Sequence, residues 1–228
     1  MGKRSRLLHR DKSLTEKAAD DIRARIVFGD IALGASLSEN TLASELGVSK
    51  TPVREALLQL KSEGLVSIQP QRGSFVFDMS ASEVMQLGDL RETLELAAVR
   101  AALKNDPRAL AGDLRDIAAA MRKALDRDDI VTYRKLDADF HRAFFERSGN
   151  VYMLASYLGI AFRIQALRSR LSNDPALNHS SYGDHLNICR LVEEGRAGDL
   201  AKLLARHVRG TSEAYAATLD ARRAVKAS

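Results

Sequence analysis

The chain has 228 residues, of which 45% are hydrophobic, 29% charged and 5% aromatic, with no Trp. This is a globular composition, long enough for one large domain or two small ones. No apolar run reaches the roughly 18–20 residues needed to cross a bilayer, and the basic N-terminus lacks the apolar stretch of a secretory signal. Cys189 is the single cysteine, which excludes an internal disulfide and fits a reducing cytoplasm with no membrane partner. A net charge of +5 and a pI near 9.4 are mild evidence for a polyanionic partner. The charge is not concentrated in either part: through Asp78 there are 12 Lys and Arg against 10 Asp and Glu. Only residues 1–12 form a basic tail, through Lys3, Arg4, Arg6, Arg10 and Lys12, which reads as a solubilising or phosphate-contacting arm.

Ser13-x-x-Glu16 is a capping box opening a first helix, with Leu14, Ala18, Ile22 and Ile26 at helical spacing and Gly29 as its stop. Ser38 can cap a second helix that ends at Gly47. Ser49 can cap a third, with Pro52 tolerated in the first turn because its missing N–H has no partner there anyway. Val53, Ala56, Leu57 and Leu60 form the buried stripe of that third helix. Leu65–Gln69 and Ser74–Phe77 have strand-like content around the turn Pro70-Gln71-Arg72-Gly73. Three helices and a hairpin over residues 13–78 predict a winged helix-turn-helix.

A second capping box, Ser80-x-x-Glu83, opens residues 79–228. No strand pattern follows, and six helices are expected near 82–104, 107–126, 129–148, 151–171, 181–195 and 199–222. Gly149-Asn150, Asn173-Asp174-Pro175 and Gly195–Gly198 are the breaks. Apolar residues recur three and four apart, as in an antiparallel helical bundle. The fold class expected is mainly α: an N-terminal winged helix-turn-helix with a small hairpin, then an all-α bundle.

Two constellations carry chemistry. On the third helix, Lys50, Thr51 and Arg54 share a polar face opposite the apolar stripe, the division a recognition helix in a DNA major groove needs. Arg54 can pair with guanine O6 and N7 or with a phosphate. Ser49 and the free N–H groups of the first turn suit a phosphate, and Arg72 with Gly73 at the hairpin tip can reach the backbone or minor groove. Read singly, each residue fits an ordinary solvated face. In the second region, Asp137 and His141 are four apart on one helix face. His185 lies 12 residues before the turn centred near Ala197, and His207 lies 10 after it. At about 1.5 Å per residue both imidazoles sit about 15–18 Å from that turn on antiparallel helices, so they can meet at one level. One carboxylate and three imidazoles suit Zn²⁺, Ni²⁺ or a similar divalent ion such as Mn²⁺. Spacing alone leaves that reading open beside four unrelated polar side chains.

Leu42-Ala43, Leu46-Gly47-Val48-Ser49, Thr51-Pro52-Val53-Arg54-Glu55-Ala56-Leu57, Glu63-Gly64-Leu65-Val66 and Arg72-Gly73 closely resemble the GntR family of bacterial transcription regulators. Three departures stand out. Lys50 replaces a frequent Arg, Asn40 stands where relatives often carry a charge, and Ala32-Leu33-Gly34 lacks a common Pro. Leu136-Asp137-Ala138-Asp139-Phe140-His141, Ser148-Gly149-Asn150, His185 and Gly198-Asp199 followed by His207 resemble the ligand-binding (FCD) domain of the FadR subfamily. Six helices place it nearer the VanR-like branch. The resemblance implies a divalent metal on Asp137, His141, His185 and His207, and a small carboxylic-acid effector. Arg91 is the first candidate to hold its carboxylate, with Arg134 and Arg163 as further candidates. It also implies a homodimer on a short palindromic DNA operator, acting as a repressor released by the acid. The competing readings are a metal-dependent hydrolase or lyase using the same Asp and His cluster, and a sensor of the metal itself.

Overall fold

The structure is a computed structural model that describes residues 11–171 and 175–227. The basic residues Lys3 to Arg10 of the tail, and the break at Asn173-Asp174, lie outside the described residues. The chain divides into two compact units, one of residues up to Ile26 with Ile31–Phe77, the other of Val27–Asp30 with the chain from Asp78 onward.

The first unit holds α1 (Leu14–Phe28), β1 (Ser36–Leu37), α2 (Glu39–Leu46), α3 (Lys50–Ser62), β2 (Val66–Gln69) and β3 (Gly73–Val76). The capping box forms as expected: Ser13 N–H donates to Glu16 Oε2 at 2.6 Å, and Glu16 N–H to Ser13 Oγ at 3.1 Å. Ser38 caps α2 through Thr41 N–H, and Gly47 ends it at φ 66°, a left-handed conformation that favours glycine. Ser49 sits at the N-cap of α3 but makes no side-chain cap bond, which leaves its hydroxyl and the first-turn N–H groups available to an outside acceptor or anion. The core is Ile22 and Ile26 of α1, Leu42 of α2, and Val53, Ala56, Leu57 and Leu60 of α3, closed by Leu65 and Val76. Arg23 clips α1 to α3 with two bonds of 2.7 Å to Glu63. The sheet has three antiparallel strands in the order β1-β3-β2. The sequence predicts only two, because a two-residue strand is too short to leave an alternating pattern.

The second unit is an all-helical bundle: α4 (Ala81–Asn105), α5 (Pro107–Asp126), α6 (Ile130–Arg147), α7 (Val151–Leu171), α8 (Pro175–Glu193) and α9 (Ala197–Ala227). The second capping box is complete at Ser80 and Glu83. Asp106 caps α5 with Pro107 in the first turn, Asp129 caps α6, and Asn150 Oδ1 accepts from Tyr152 and Met153 N–H at the start of α7. The fifth of the expected helices starts at Pro175 instead of 181. The polar run Asn178-His179-Ser180-Ser181 reads as loop by sequence, yet Pro175 opens the helix and Asn178 turns inward to the core. Helix α4 packs lengthwise on α9, while α6 lies against α4, α5 and α7. This places α6 centrally, and Tyr133, Phe140, Phe144 and Phe145 on it are almost fully buried. Phe145 stacks on Tyr157 of α7 at 4.2 Å. Among the described residues, no helix is long and apolar enough to cross a membrane.

Candidate metal and effector site

The buried face of α6 carries three polar residues among its aromatics. Asp137 and His141, one turn apart, and Tyr133, one turn earlier, point into the bundle because the same three- and four-residue spacing that buries Phe140 and Phe144 buries them. His185 enters from α8 and His207 from α9. All three imidazoles are buried, and one ring nitrogen of each lies within 4.8 Å of the others. His141 Nε2 and His185 Nε2 are 3.4 Å apart. Asp137 Oδ2 lies 3.9 Å from His141 Nε2, and Asp137 Oδ1 3.7 Å from His185 Nε2. The three histidines cluster, and Asp137 comes within 4 Å of two of them.

These separations test whether the residues fit a metal. Ligands at about 2.1 Å from a tetrahedral ion lie about 3.4 Å apart. The three individual distances, 3.4, 3.7 and 3.9 Å, have that size or slightly more, and the histidine nitrogens all lie within 4.8 Å of one another. Burial, followed by the nearby positive charge of Arg91, lowers the pKa of His141 well below the ordinary value; burial does the same for His185. A neutral ring keeps one nitrogen lone pair, the form in which an imidazole binds a metal. Burial alone would raise the Asp137 carboxyl, but the Arg168 guanidinium beside it holds it below the usual carboxylate range, so it is ionised. Three imidazole nitrogens and a carboxylate oxygen, converging in a buried site, form a donor set for a divalent cation.

A cavity of about 290 Å³ opens beside the cluster. Asp137 and His207 are in its wall, with Arg168, Tyr133, Tyr215 and Arg206. Arg168 of α7 is buried, with Nη1 2.5 Å from Asp137 Oδ2. It is the cation the cavity presents at depth, and the sequence reading does not include it. The three candidate arginines, Arg91 from the resemblance and Arg134 and Arg163 beside it, stand elsewhere. Arg91 is buried with its Nε donating to Glu95 Oε1 at 2.6 Å, half-buried Arg134 donates to Ser169 O at 3.2 Å, and Arg163 is half-buried on α7. None of the three is among the described residues lining the cavity. Arg168 does carry a sequence signal: Tyr157, Ala161, Ile164 and Arg168 are spaced as one helix face, so a cation falls on a buried stripe. Glu95 is the same kind of misfit, on the stripe of Leu87, Gly88, Arg91, Ala98 and Ala102. A charged residue on an apolar stripe is the mark of a functional interior.

On the first unit, Ser49, Lys50, Thr51 and Arg54 are all exposed on the start of α3. Arg54 is held by Glu39 of α2, with Nη2 2.9 Å from Oε2, which raises the Arg54 pKa and lowers that of Glu39. Arg72 and Gly73 are exposed at the hairpin tip, where Gly73 takes φ 103°. Asp139, off the buried face of α6, is exposed as expected.

Residues 14–76 match the bacterial regulatory proteins of the gntR family, and residues 86–210, more than half of the chain, match the FCD domain. The chain belongs to the GntR family, in the group that carries an FCD domain. This regulator is 39% identical over 130 residues to an uncharacterized HTH-type transcriptional regulator in an unstable DNA locus of Streptomyces ambofaciens, covering 57% of this chain and 54% of that one. It is 32% identical over 137 residues to the gluconate operon transcriptional repressor of Bacillus subtilis, covering 60% and 56%. The chain thus spans a little over half the length of these curated relatives. In solved structures its fold is shared by a GntR regulator from Rhodococcus sp. RHA1, with a TM-score of 0.77, 22% identity and coverage of 92% of this chain and 99% of that one. It is shared also by McbR/YncC from E. coli, with a TM-score of 0.75, 23% identity and coverage of 88% and 95%. The family is one of transcription regulators, so the hydrolase or lyase reading falls.

Proposed function

We propose that this GntR regulator is a cytoplasmic homodimer that binds a short palindromic operator through α3 and the hairpin tip, and releases it when a small carboxylic acid binds at a metal in the helical unit. Asp137, His141, His185 and His207 hold the ion, with Zn²⁺ first and Ni²⁺ or Mn²⁺ as alternatives. The metal, when bound, supplies a Lewis-acidic anchor for the acid's carboxylate. Arg168 offers that carboxylate a charge-assisted bidentate partner from the cavity wall. The observation that carries this reading is the buried cluster of three histidines with Asp137 beside it, next to a cavity whose wall holds Asp137, His207 and the buried Arg168. On DNA, Lys50, Thr51, Arg54 and Arg72 are the contacts, with Ser49, Gly73 and the first-turn N–H groups on phosphate. The dimer reading draws support from exposed Val151, Tyr152 and Leu158 on α7, apolar groups suited to a second copy. The acid controls DNA binding only by binding the two states unequally.

The test is a thermal-shift screen of Zn²⁺-loaded protein against sugar acids, dicarboxylates and aromatic acids, since a ligand of the native state raises its midpoint. The name of the gluconate repressor makes sugar acids the first arm. A hit should weaken operator binding, and the shift should vanish in His185→Ala/His207→Ala, which should also lose its metal by elemental analysis. Full metal occupancy in that double variant would place the site elsewhere. DNA affinity that follows metal alone, at constant acid, would make the protein a metal sensor.

A further inference from the structure

Three imidazoles can share one ion only if each turns the right nitrogen inward with its lone pair free. A histidine ring can carry its proton on either nitrogen, so something must settle the choice. Two of the three rings have it settled by a carboxylate. His141 Nδ1 lies 2.8 Å from Glu95 Oε2, and His207 Nδ1 lies 3.3 Å from Asp184 Oδ2. A carboxylate oxygen only accepts, so Nδ1–H donates in each case and Nε2 keeps its lone pair. For His141 it is this Nε2 that faces His185.

Each carboxylate is in turn held by an arginine on its other oxygen. Arg91 Nε donates to Glu95 Oε1 at 2.6 Å, with both residues buried. Arg206 Nη2 donates to Asp184 Oδ1 at 3.2 Å near the cavity mouth. The bundle therefore contains two arginine–carboxylate–histidine relays, one deep and one near the surface. A buried ion pair that served stability alone would be a poor use of two desolvated charges. Splitting the two oxygens between an arginine and an imidazole gives the pair another task. His185 lacks such a relay: its Nδ1 is buried with no hydrogen-bond partner among the described residues.

We propose that Glu95 and Asp184 are positioning residues for the metal, locking His141 and His207 with Nε2 as the ligand atom, and that Arg91 serves Glu95 and not the effector. This rests on the metal reading above. The carboxylates raise the basicity of the imidazoles they hold and fix the rings' orientation. Because the two relays reach different ligands from different helices, each should weaken metal binding when broken alone.

The test uses full-length protein stripped with chelator, then titrated with Zn²⁺ against a chromophoric chelator and with Co²⁺, whose absorption reports the ligand set. Glu95→Gln keeps an acceptor for His141 and removes the charge. Asp184→Ala removes the acceptor where the side chain is 24% exposed and the group left behind can reach water, and circular dichroism checks that the helical fold is kept. Asp184→Asn returns an acceptor. Glu95→Gln and Asp184→Ala should each weaken Zn²⁺ binding roughly 10–100-fold and shift the Co²⁺ bands, with part of the loss recovered in Asp184→Asn. Zn²⁺ affinity within about threefold of the parent in both variants overturns the inference and leaves the metal reading standing. A parent that binds neither ion overturns the metal reading, and the inference with it.

Discussion

Asp137→Asn separates the structural role of the buried carboxylate from its role as a ligand. The Asp137 and Arg168 side chains are 4% and 6% exposed, and their nearest N and O atoms are 2.5 Å apart. Taking about 4 Å between charge centres and an effective dielectric of about 20, their attraction is about 4 kcal/mol. Removing one partner of a buried pair and leaving the other desolvated typically costs about 3–5 kcal/mol, which agrees. Against a total stability of about 5–15 kcal/mol, that is a large share. Urea unfolding followed by circular dichroism, with chelator present so that metal contributes nothing, should show the midpoint falling by about 1.3–2 M for a slope near 2–3 kcal/mol per molar. Arg168→Met added to Asp137→Asn removes the orphaned charge and should recover at least half of the loss. A midpoint within about 0.5 M of the parent for the single variant, or no recovery in the double, would refute the buried pair as described.

Further outcomes follow from other parts of the chain. Arg54→Ala should lower affinity for an operator selected from random DNA by about 1–3 kcal/mol per recognition helix, with helical content unchanged by circular dichroism; unchanged affinity by fluorescence anisotropy sinks the α3 assignment. Gly88→Ala should destabilise the bundle by about 1–3 kcal/mol in thermal unfolding. An added Cβ there would run into Ser212 Oγ and come to 2.7 Å from Ser212 Cβ; a rotamer change moves the first but not the second, so α4 and α9 must part. Ser212→Gly should rescue it, and a neutral Gly88→Ala would refute the close crossing. Burial, with Glu193 nearby, pushes the Cys189 thiol up to about 11. At pH 8 iodoacetamide should therefore alkylate native protein more than about 100-fold more slowly than urea-unfolded protein, where the thiol returns to about 8.5. Since the raised pKa belongs to the folded state, the thiol's contribution to stability is whole below about pH 8.5 and declines as pH rises toward 11, a decline Cys189→Ser should remove.

Much of this architecture is legible because its signals are local. Capping boxes at Ser13 and Ser80, Asp106-Pro107, and the glycines at positions 29, 47 and 149 set helix ends by chemistry within a few residues. The third strand and the start of α8 are not local in that sense. β1 exists because β3 is there to pair with it, and Asn178 is helical and buried because the bundle accepts its polar groups; Tyr133 Oη–H, for one, donates to Asn178 O at 2.9 Å. The histidines were legible through counted rise along two helices, a geometric argument that survives small errors in the boundaries. The cations were not. Choosing Arg163 over Arg168 is a matter of five residues, well over a full helical turn, and only the stripe through Tyr157, Ala161 and Ile164 tells them apart.

Under the proposed function, the charges around the cluster favour an anion as the ligand. Arg91 is balanced by Glu95 and Arg168 by Asp137, while the buried rings of His141 and His185 are held neutral. The deep interior is thus close to neutral, and a divalent ion seated there adds two positive charges where water is scarce. A neutral ligand would leave that excess unbalanced. A carboxylate that reaches the ion and Arg168 together would offset it, and would also take over part of the hold that Arg168 now has on Asp137. Arg168 is on α7 and Asp137 on α6, so exchanging that partner alters a contact between two helices. An effector bound in this way would favour one packing of the bundle over another, the unequal affinity that the proposed control of DNA binding from a distance requires.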